Sequence, residues 1–261
     1  MSLQEVVAGS TLPPYLSPSS IATFRQCPLL YKLTRIDGLS DGETTDMLRG
    51  TFVHEVLENL FMLEPEYRTP EQSKVIMRDL WEKQWNEKMG THFGDDPKAI
   101  RQFRWESWWR MENYFSIEDP TSVFPEGLET AINGKVGGVL VRGFIDRWSK
   151  ENGRLVVTDY KTGKTPQARF RSDKFTQLMI YADFLAEQES CEIERVELLF
   201  LKDGGRITSP ANETQIKKMR EVVQETRVGI DLRFESANFE PKTSKLCDWC
   251  NFKNECPAYK K

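Results

Sequence analysis

The chain has 261 residues, 39% of them hydrophobic and 29% charged, and a formal net charge of −4. That length suits one large domain or a domain carrying a helical insertion, and the mild acidity excludes a histone-like DNA coat while leaving room for a locally basic site. No apolar run reaches the roughly 18 residues of a membrane helix, and Met1–Pro14 lacks the basic and apolar regions of a secretory leader, so a cytoplasmic chain with residues 1–15 as a disordered tail is expected. The cysteines are Cys27, Cys191, Cys247, Cys250 and Cys256; an odd count without a leader argues against a disulfide framework.

In chain order, Ser17 to Leu33 reads as a helix, with serines as caps, Pro18 in its first turn and a kink at Pro28. A polar loop, Asp37 to Thr45, leads to a helix over Asp46 to Leu63 whose apolar stripe is Val53, Val56, Leu57, Leu60 and Phe61. Pro70 to Met89 and Pro97 to Ile117 are further helices rich in tryptophan; such aromatics either pack a core or offer stacking platforms to single-stranded bases. From Val123 the pattern turns to strands: Gly127–Ile132, Val136–Trp148 and Arg154–Lys161, with Asn133-Gly134 and Asn152-Gly153 as hairpin turns. A helix over Ser172 to Glu189, a strand over Val196–Leu201, a helix over Ala211 to Arg233 and a cysteine-bearing tail from Phe239 complete the chain.

A turn centred on Asn152-Gly153 pairs Glu151 with Arg154 and therefore sets Asp146 opposite Asp159 and Phe144 opposite Lys161. Two opposed carboxylates repel, and a cation between them relieves the repulsion; either Lys161 alone, as a structural ion pair, or a hard divalent ion would serve. The basic run Lys161, Lys164, Arg169, Arg171 and Lys174 is either a solvated face or a phosphate track. Cys247-x-x-Cys250 followed by Cys256 has metal-ligand spacing, and taken by itself it favours tetrahedral zinc with a fourth ligand from elsewhere. Cys191 reads as an ordinary buried cysteine.

Gly143-Phe-Ile-Asp146-Arg147, Asp159-Tyr160-Lys161-Thr-Gly163 and Gln177-Leu-Met-Ile-Tyr181 resemble motifs of the PD-(D/E)XK nuclease superfamily. Arg49-Gly-Thr-Phe-Val-His54, Leu16-Ser-Pro-Ser-Ser20 through Cys27-Pro28, and Cys247-Asp-Trp-Cys250 with Cys256-Pro257 narrow the resemblance to its RecB-type branch, which includes CRISPR-associated RecB-like exonucleases. The resemblance spans Leu16 to Tyr259, and the sequence has no helicase P-loop. It implies an α/β fold: a restriction-endonuclease-like core with a mixed central sheet flanked by helices, a helical insertion, and a Cys-cluster clip joining the N- and C-terminal segments. It places one nuclease domain over 16–261, with a helical region at 46–120, a catalytic core at 123–236 and a tail at 239–261 packed on 16–36. It also implies a metal-dependent DNA nuclease, an exonuclease on single-stranded or end-processed DNA; a non-catalytic nucleic-acid-binding subunit of a repair or CRISPR complex is the alternative. By resemblance, His54, Asp146, Asp159 and the Tyr160 carbonyl hold Mg²⁺ or Mn²⁺, and Lys161 activates water and steadies phosphate charge. Gln177 and Tyr181 line the site, and Lys164, Arg169 and Arg171 follow the DNA backbone. Cys27, Cys247, Cys250 and Cys256 hold a [4Fe–4S] cluster, with structural Zn²⁺ as the alternative. Partners are DNA and repair or CRISPR adaptation proteins; a membrane is not among them.

Overall fold

The structure, a computed structural model, describes residues 11–40 and 42–259, apart from the side chains at positions 170, 172 and 173; most of the expected tail lies outside the described residues. The main helices are α1 Pro18–Gln26, α2 Thr45–Phe61, α3 Pro70–Leu80, α4 Asn86–Phe93, α5 Pro97–Ile117, α6 Thr176–Glu189 and α7 Glu213–Glu235. The strands are β1 Pro125–Val136, β2 Val139–Glu151, β3 Arg154–Lys161, β4 Ile193–Phe200 and β5 Gly205–Ser209, in one sheet ordered β1-β2-β3-β4-β5. β3 and β4 pair in parallel through the crossover helix α6, while β2–β3 and β4–β5 are antiparallel; the sheet is mixed, as expected of a restriction-endonuclease-like α/β core. Two compact units share the chain: one holds residues 1–42, 131–143 and 212–261, the other 43–130 and 144–211.

In the first unit, Ser17 and Ser20 cap α1 reciprocally and Pro18 opens it. The helix stops rather than kinks before Pro28, because a residue preceding proline is driven out of the helical region; Cys27 is extended, at φ −157°. A helical turn over Pro28–Tyr31 and a π-turn over Lys32–Ile36 follow. Leu16 joins Val141 of β2 by a parallel bridge. The first hairpin turns at Gly137-Gly138, with φ of +58° and +83°, and not at Asn133-Gly134, which stays inside β1. Two glycines in succession meet the left-handed requirement of a tight turn with no Cβ strain, whereas Asn133 accepts a bond from Arg142 across the hairpin.

In the second unit, a core of Phe52, Leu57, Trp81, Trp85, Phe103, Met111 and Tyr114 joins α2, α3 and α5, and it takes in Tyr160 and Leu199 from β3 and β4. The helix expected over Pro70 to Met89 is interrupted by a π-turn at Trp81–Trp85. Successive strand residues face opposite ways, and α6 packs against β3 and β4 where it meets Asp159. Residues 155–160 of β3 are therefore buried throughout, as in a strand covered on both sides. Asn152 and Gly153 form the second hairpin turn with φ of +51° and +79°, and the pairing runs from Glu151–Arg154 to Arg147–Thr158 in the expected register. β5 was not foreseen: Gly-Arg-Ile-Thr-Ser is short and offers a single large apolar residue. Across the sheet, the guanidinium of Arg147 is 2% exposed and held by Glu118 at 2.9 Å, with Glu197 3.6 Å away.

Candidate metal centre and cysteine cluster

The β2–β3 pairing reaches Arg147–Thr158, which leaves Asp146, in the middle of β2, and Asp159, near the end of β3, just beyond it and within electrostatic reach of each other. Asp146 Oδ2 accepts the Tyr160 backbone N–H at 2.8 Å and lies 3.4 Å from His54 Nδ1 on α2. The other ring nitrogen of His54 meets the Tyr160 carbonyl at 2.9 Å, so one histidine spans the two backbone-linked groups that the resemblance names as ligands. Lys161 Nζ lies 2.7 Å from Asp159 Oδ2 and 3.4 Å from Gln177 Oε1. Gln177 Nε2 donates to Asp159 Oδ1 at 3.0 Å and to Tyr181 Oη at 3.2 Å; four residues apart on α6, Gln177 and Tyr181 share a helix face. The structure thus brings His54, Asp146, Asp159, Tyr160, Lys161, Gln177 and Tyr181 together. Lys164, Arg169 and Arg171 lie exposed on the segment that leaves Lys161.

Glu129 of β1 was absent from the expected site. Oxygens of Glu129 and Asp146 and a ring nitrogen of His54 lie within 4.8 Å of one another, an arrangement that can hold a metal ion. Its backbone sits at φ +39°, an uncommon conformation for a residue with a Cβ and one often stored at functional sites. The available signal was an acid inside an alternating strand, where glutamate is depleted.

The charges are consistent with a cation among them. Burial and the nearby Asp146 push Glu129 up to about 7, with His54 opposing. Burial and Asp146 also push Asp159 up to about 6 against the pull of Lys161. Burial would lower His54, but the charge and hydrogen bond of Asp146 outweigh it and raise the imidazole to about 9. Burial would raise Asp146, yet His54 and the Tyr160 N–H hold it below the usual carboxylate range. Asp159 Oδ2 touches Lys161 as an ion pair but accepts no aligned hydrogen bond from the described residues. A buried anionic oxygen with spare capacity, beside two carboxylates and an imidazole, is a donor set suited to a divalent ion.

In the first unit, Cys27, Cys247, Cys250 and Cys256 line a cavity of about 40 Å³. Leu29, Leu33 and Phe252 form its apolar wall against Cys27, Cys250 and Cys256. The backbone N–H of Lys242 donates to Cys27 Sγ at 3.4 Å and that of Ser244 to Cys247 Sγ at 3.3 Å. All five cysteines are free thiols, and Cys191 does not line this cavity. Among the described residues, no three cysteine sulfurs converge as closely as the ligand atoms of His54, Glu129 and Asp146 do.

No helix of the described residues is long and apolar enough to cross a membrane. The chain is 26% identical to the Gene 69 proteins of Mycobacterium phages D29 and L5, covering 95% and 96% of this chain and 98% of each relative. Its fold resembles a crystal structure from Eubacterium rectale described as a presumptive exonuclease, with TM-score 0.55, 14% identity, and coverage of 95% of this chain and 89% of that one. The model of the PD-(D/E)XK nuclease superfamily, whose members use divalent metals, matches residues 15–257. With that match spanning both the acid–lysine hairpin and the cysteine segments, the chain belongs to the PD-(D/E)XK nuclease superfamily.

Proposed function

We propose that this chain is a divalent-metal-dependent deoxyribonuclease of the RecB-type branch, acting as an exonuclease on single-stranded or end-processed DNA. The observation that carries the reading is the meeting of His54, Glu129 and Asp146 with the Asp159–Lys161–Gln177 triplet at one strand end. His54, Asp146, Asp159 and the Tyr160 carbonyl would hold Mg²⁺ or Mn²⁺, with Glu129 as a further oxygen ligand. When bound, such an ion polarises the phosphate, lowers the pKa of water and stabilises the leaving oxygen. Lys161 places a positive charge where the attacked phosphate gains negative charge. Asp159 and Gln177 fix that ammonium between them, and Tyr181 fixes the amide in turn. His54 must give up a proton to serve as a ligand, so metal binding releases protons. Lys164, Arg169 and Arg171 would follow the strand backbone through salt-sensitive phosphate contacts.

End-labelled single- and double-stranded DNA, incubated with Mg²⁺, Mn²⁺ or chelator, tests the reading. Asp159→Ala and Lys161→Ala should each lower the rate by at least about a hundredfold with unchanged far-ultraviolet circular dichroism. Undiminished cutting by either variant rejects the assignment. In the same reading Cys27, Cys247, Cys250 and Cys256 hold a structural [4Fe–4S] cluster. Anaerobically purified protein should be brown and lose its iron on Cys256→Ser; colourless protein with stoichiometric zinc would replace the cluster by the tetrahedral alternative.

A further inference from the structure

Trp105 and Trp109 stand 59% and 46% exposed on α5, one turn apart, their rings meeting edge to face at 4.8 Å. Other tryptophans of this unit are treated differently: Trp81, Trp85 and Trp148 are buried, and Trp108 lies beneath the ammonium of Lys74 at 4.6 Å. Leaving two of the largest apolar side chains in water forgoes the burial that drives folding, and the pair forms an exposed aromatic patch of the kind that marks binding surfaces.

Two tethers place this patch within the second unit. One turn further along the same helix face, Asn113 donates to the carbonyls of Leu201 and Lys202 at 2.9 and 3.1 Å. Leu201 N–H in turn bonds the carbonyl of Lys161 at 2.8 Å. Beside Trp105, Glu106 pairs with Arg49 at 2.8 Å, and the adjacent Gly50 faces the hydroxyl of Thr162, the residue after Lys161. The tryptophan face therefore runs from the chain exit at Lys161 back along α5. Along it Lys98 and Arg101 lie exposed near its start and Lys202 at its end, with Glu112 as the exposed acid of the same helix face. Exposed aromatics flanked by cations recognise unpaired bases on a phosphate backbone, because every base offers a π-face once it is out of a duplex.

We infer that the Trp105–Trp109 face of α5 is a stacking platform for single-stranded nucleic acid, feeding the strand toward Lys161. The inference deepens the nuclease reading and rests on it for the direction of travel, but binding can be measured without cutting. Fluorescence anisotropy of a labelled oligothymidylate and of a hairpin duplex, in chelator, is compared for the native chain, Trp105→Ala/Trp109→Ala and Trp105→Phe/Trp109→Phe. The alanine pair should weaken single-strand affinity by at least about tenfold, spare the duplex, and leave metal-dependent hydrolysis of bis(p-nitrophenyl) phosphate unchanged; the phenylalanine pair should recover most of the affinity. Native single-strand affinity in the alanine pair overturns the platform, even in an active nuclease. So does sedimentation showing that the alanine pair loses only self-association, which would make this face a contact between copies. Tryptophan-dependent binding by a native chain that cuts no nucleic acid would sink the nuclease reading and leave the platform standing.

Discussion

Glu129 shows how one residue can serve a site at the expense of the fold. Its backbone is left-handed and its carboxylate is crowded by Asp146. A carboxylate raised to about 7 is more costly ionised in the folded chain than in the unfolded one. Its contribution is therefore most favourable below the unfolded value of about 4.3 and is lost as pH rises through the folded value. Glu129→Gln should accordingly raise the melting temperature of chelator-treated protein at pH 8 and not at pH 4. It should also move the Mn²⁺ midpoint for hydrolysis upward by about tenfold or more. A lower melting temperature with an unmoved midpoint would remove Glu129 from the metal centre. Removing one ligand yet gaining stability is the trade expected where a site is built from mutually repelling groups.

At the scale of elements, two devices hold the carboxylates where they are. The first is the left-handed turn at Asn152-Gly153, which sets the register of β2 on β3. Gly153→Ala puts a Cβ at φ +79° and should cost about 1 kcal/mol, read as a lower urea midpoint with an unchanged slope; no shift would mean that the turn does not set the pairing. The second is the ion pair between Glu118, at the end of α5, and Arg147 on β2. Burial alone would raise Glu118, but the hydrogen bonds and charge of Arg147 outweigh it and hold the carboxyl below its usual range. A depressed carboxyl contributes stability above its unfolded value, about 4.3, and that stability is lost as pH falls through the lower folded value. Glu118→Gln leaves the guanidinium buried beside Glu197 alone and should cost about 3 kcal/mol near neutral pH, the deficit shrinking in acid. A deficit independent of pH would assign the loss to packing. These elements also show how far the sequence could be read. Asn152-Gly153 announced its turn because its residue types admit only a few backbone shapes. Asn133-Gly134 carried the same signal and lost to Gly137-Gly138, since a turn is chosen by competition between neighbouring candidates and by the pairing beyond them. The break at Cys27 and the π-turn at Trp81–Trp85 depend on local sterics and on the packing of large rings, which spacing alone does not rank.

At the scale of the whole molecule, an acidic chain would bind DNA only through local basic features, so affinity should fall steeply with salt. Raising NaCl from 50 to 200 mM should weaken native binding, and Lys164→Ala/Arg169→Ala/Arg171→Ala should flatten that dependence; an unaltered slope would take the basic segment out of the interface. Within the first unit, the cysteine set ties residues near the start of the chain to its tail. Removing the metal proposed for this set should lower the melting temperature, while the Mn²⁺ midpoint at the carboxylates should stay in place if the two proposed centres are independent.

What the sequence determined by itself was short-range pattern: the register of β2 on β3 set at Asn152-Gly153, the helix face shared by Gln177 and Tyr181, and the cysteine spacing. Each follows from a fixed repeat, two residues in a strand or three to four in a helix, so neighbours in space can be counted along the chain. Tertiary structure alone decided that Glu129 reaches Asp146, that Arg147 and Glu118 meet in the core, and that Asn113 ties the tryptophan face to the chain leaving β4. Those meetings depend on how separate elements pack and cross, and no local repeat encodes the distance between them.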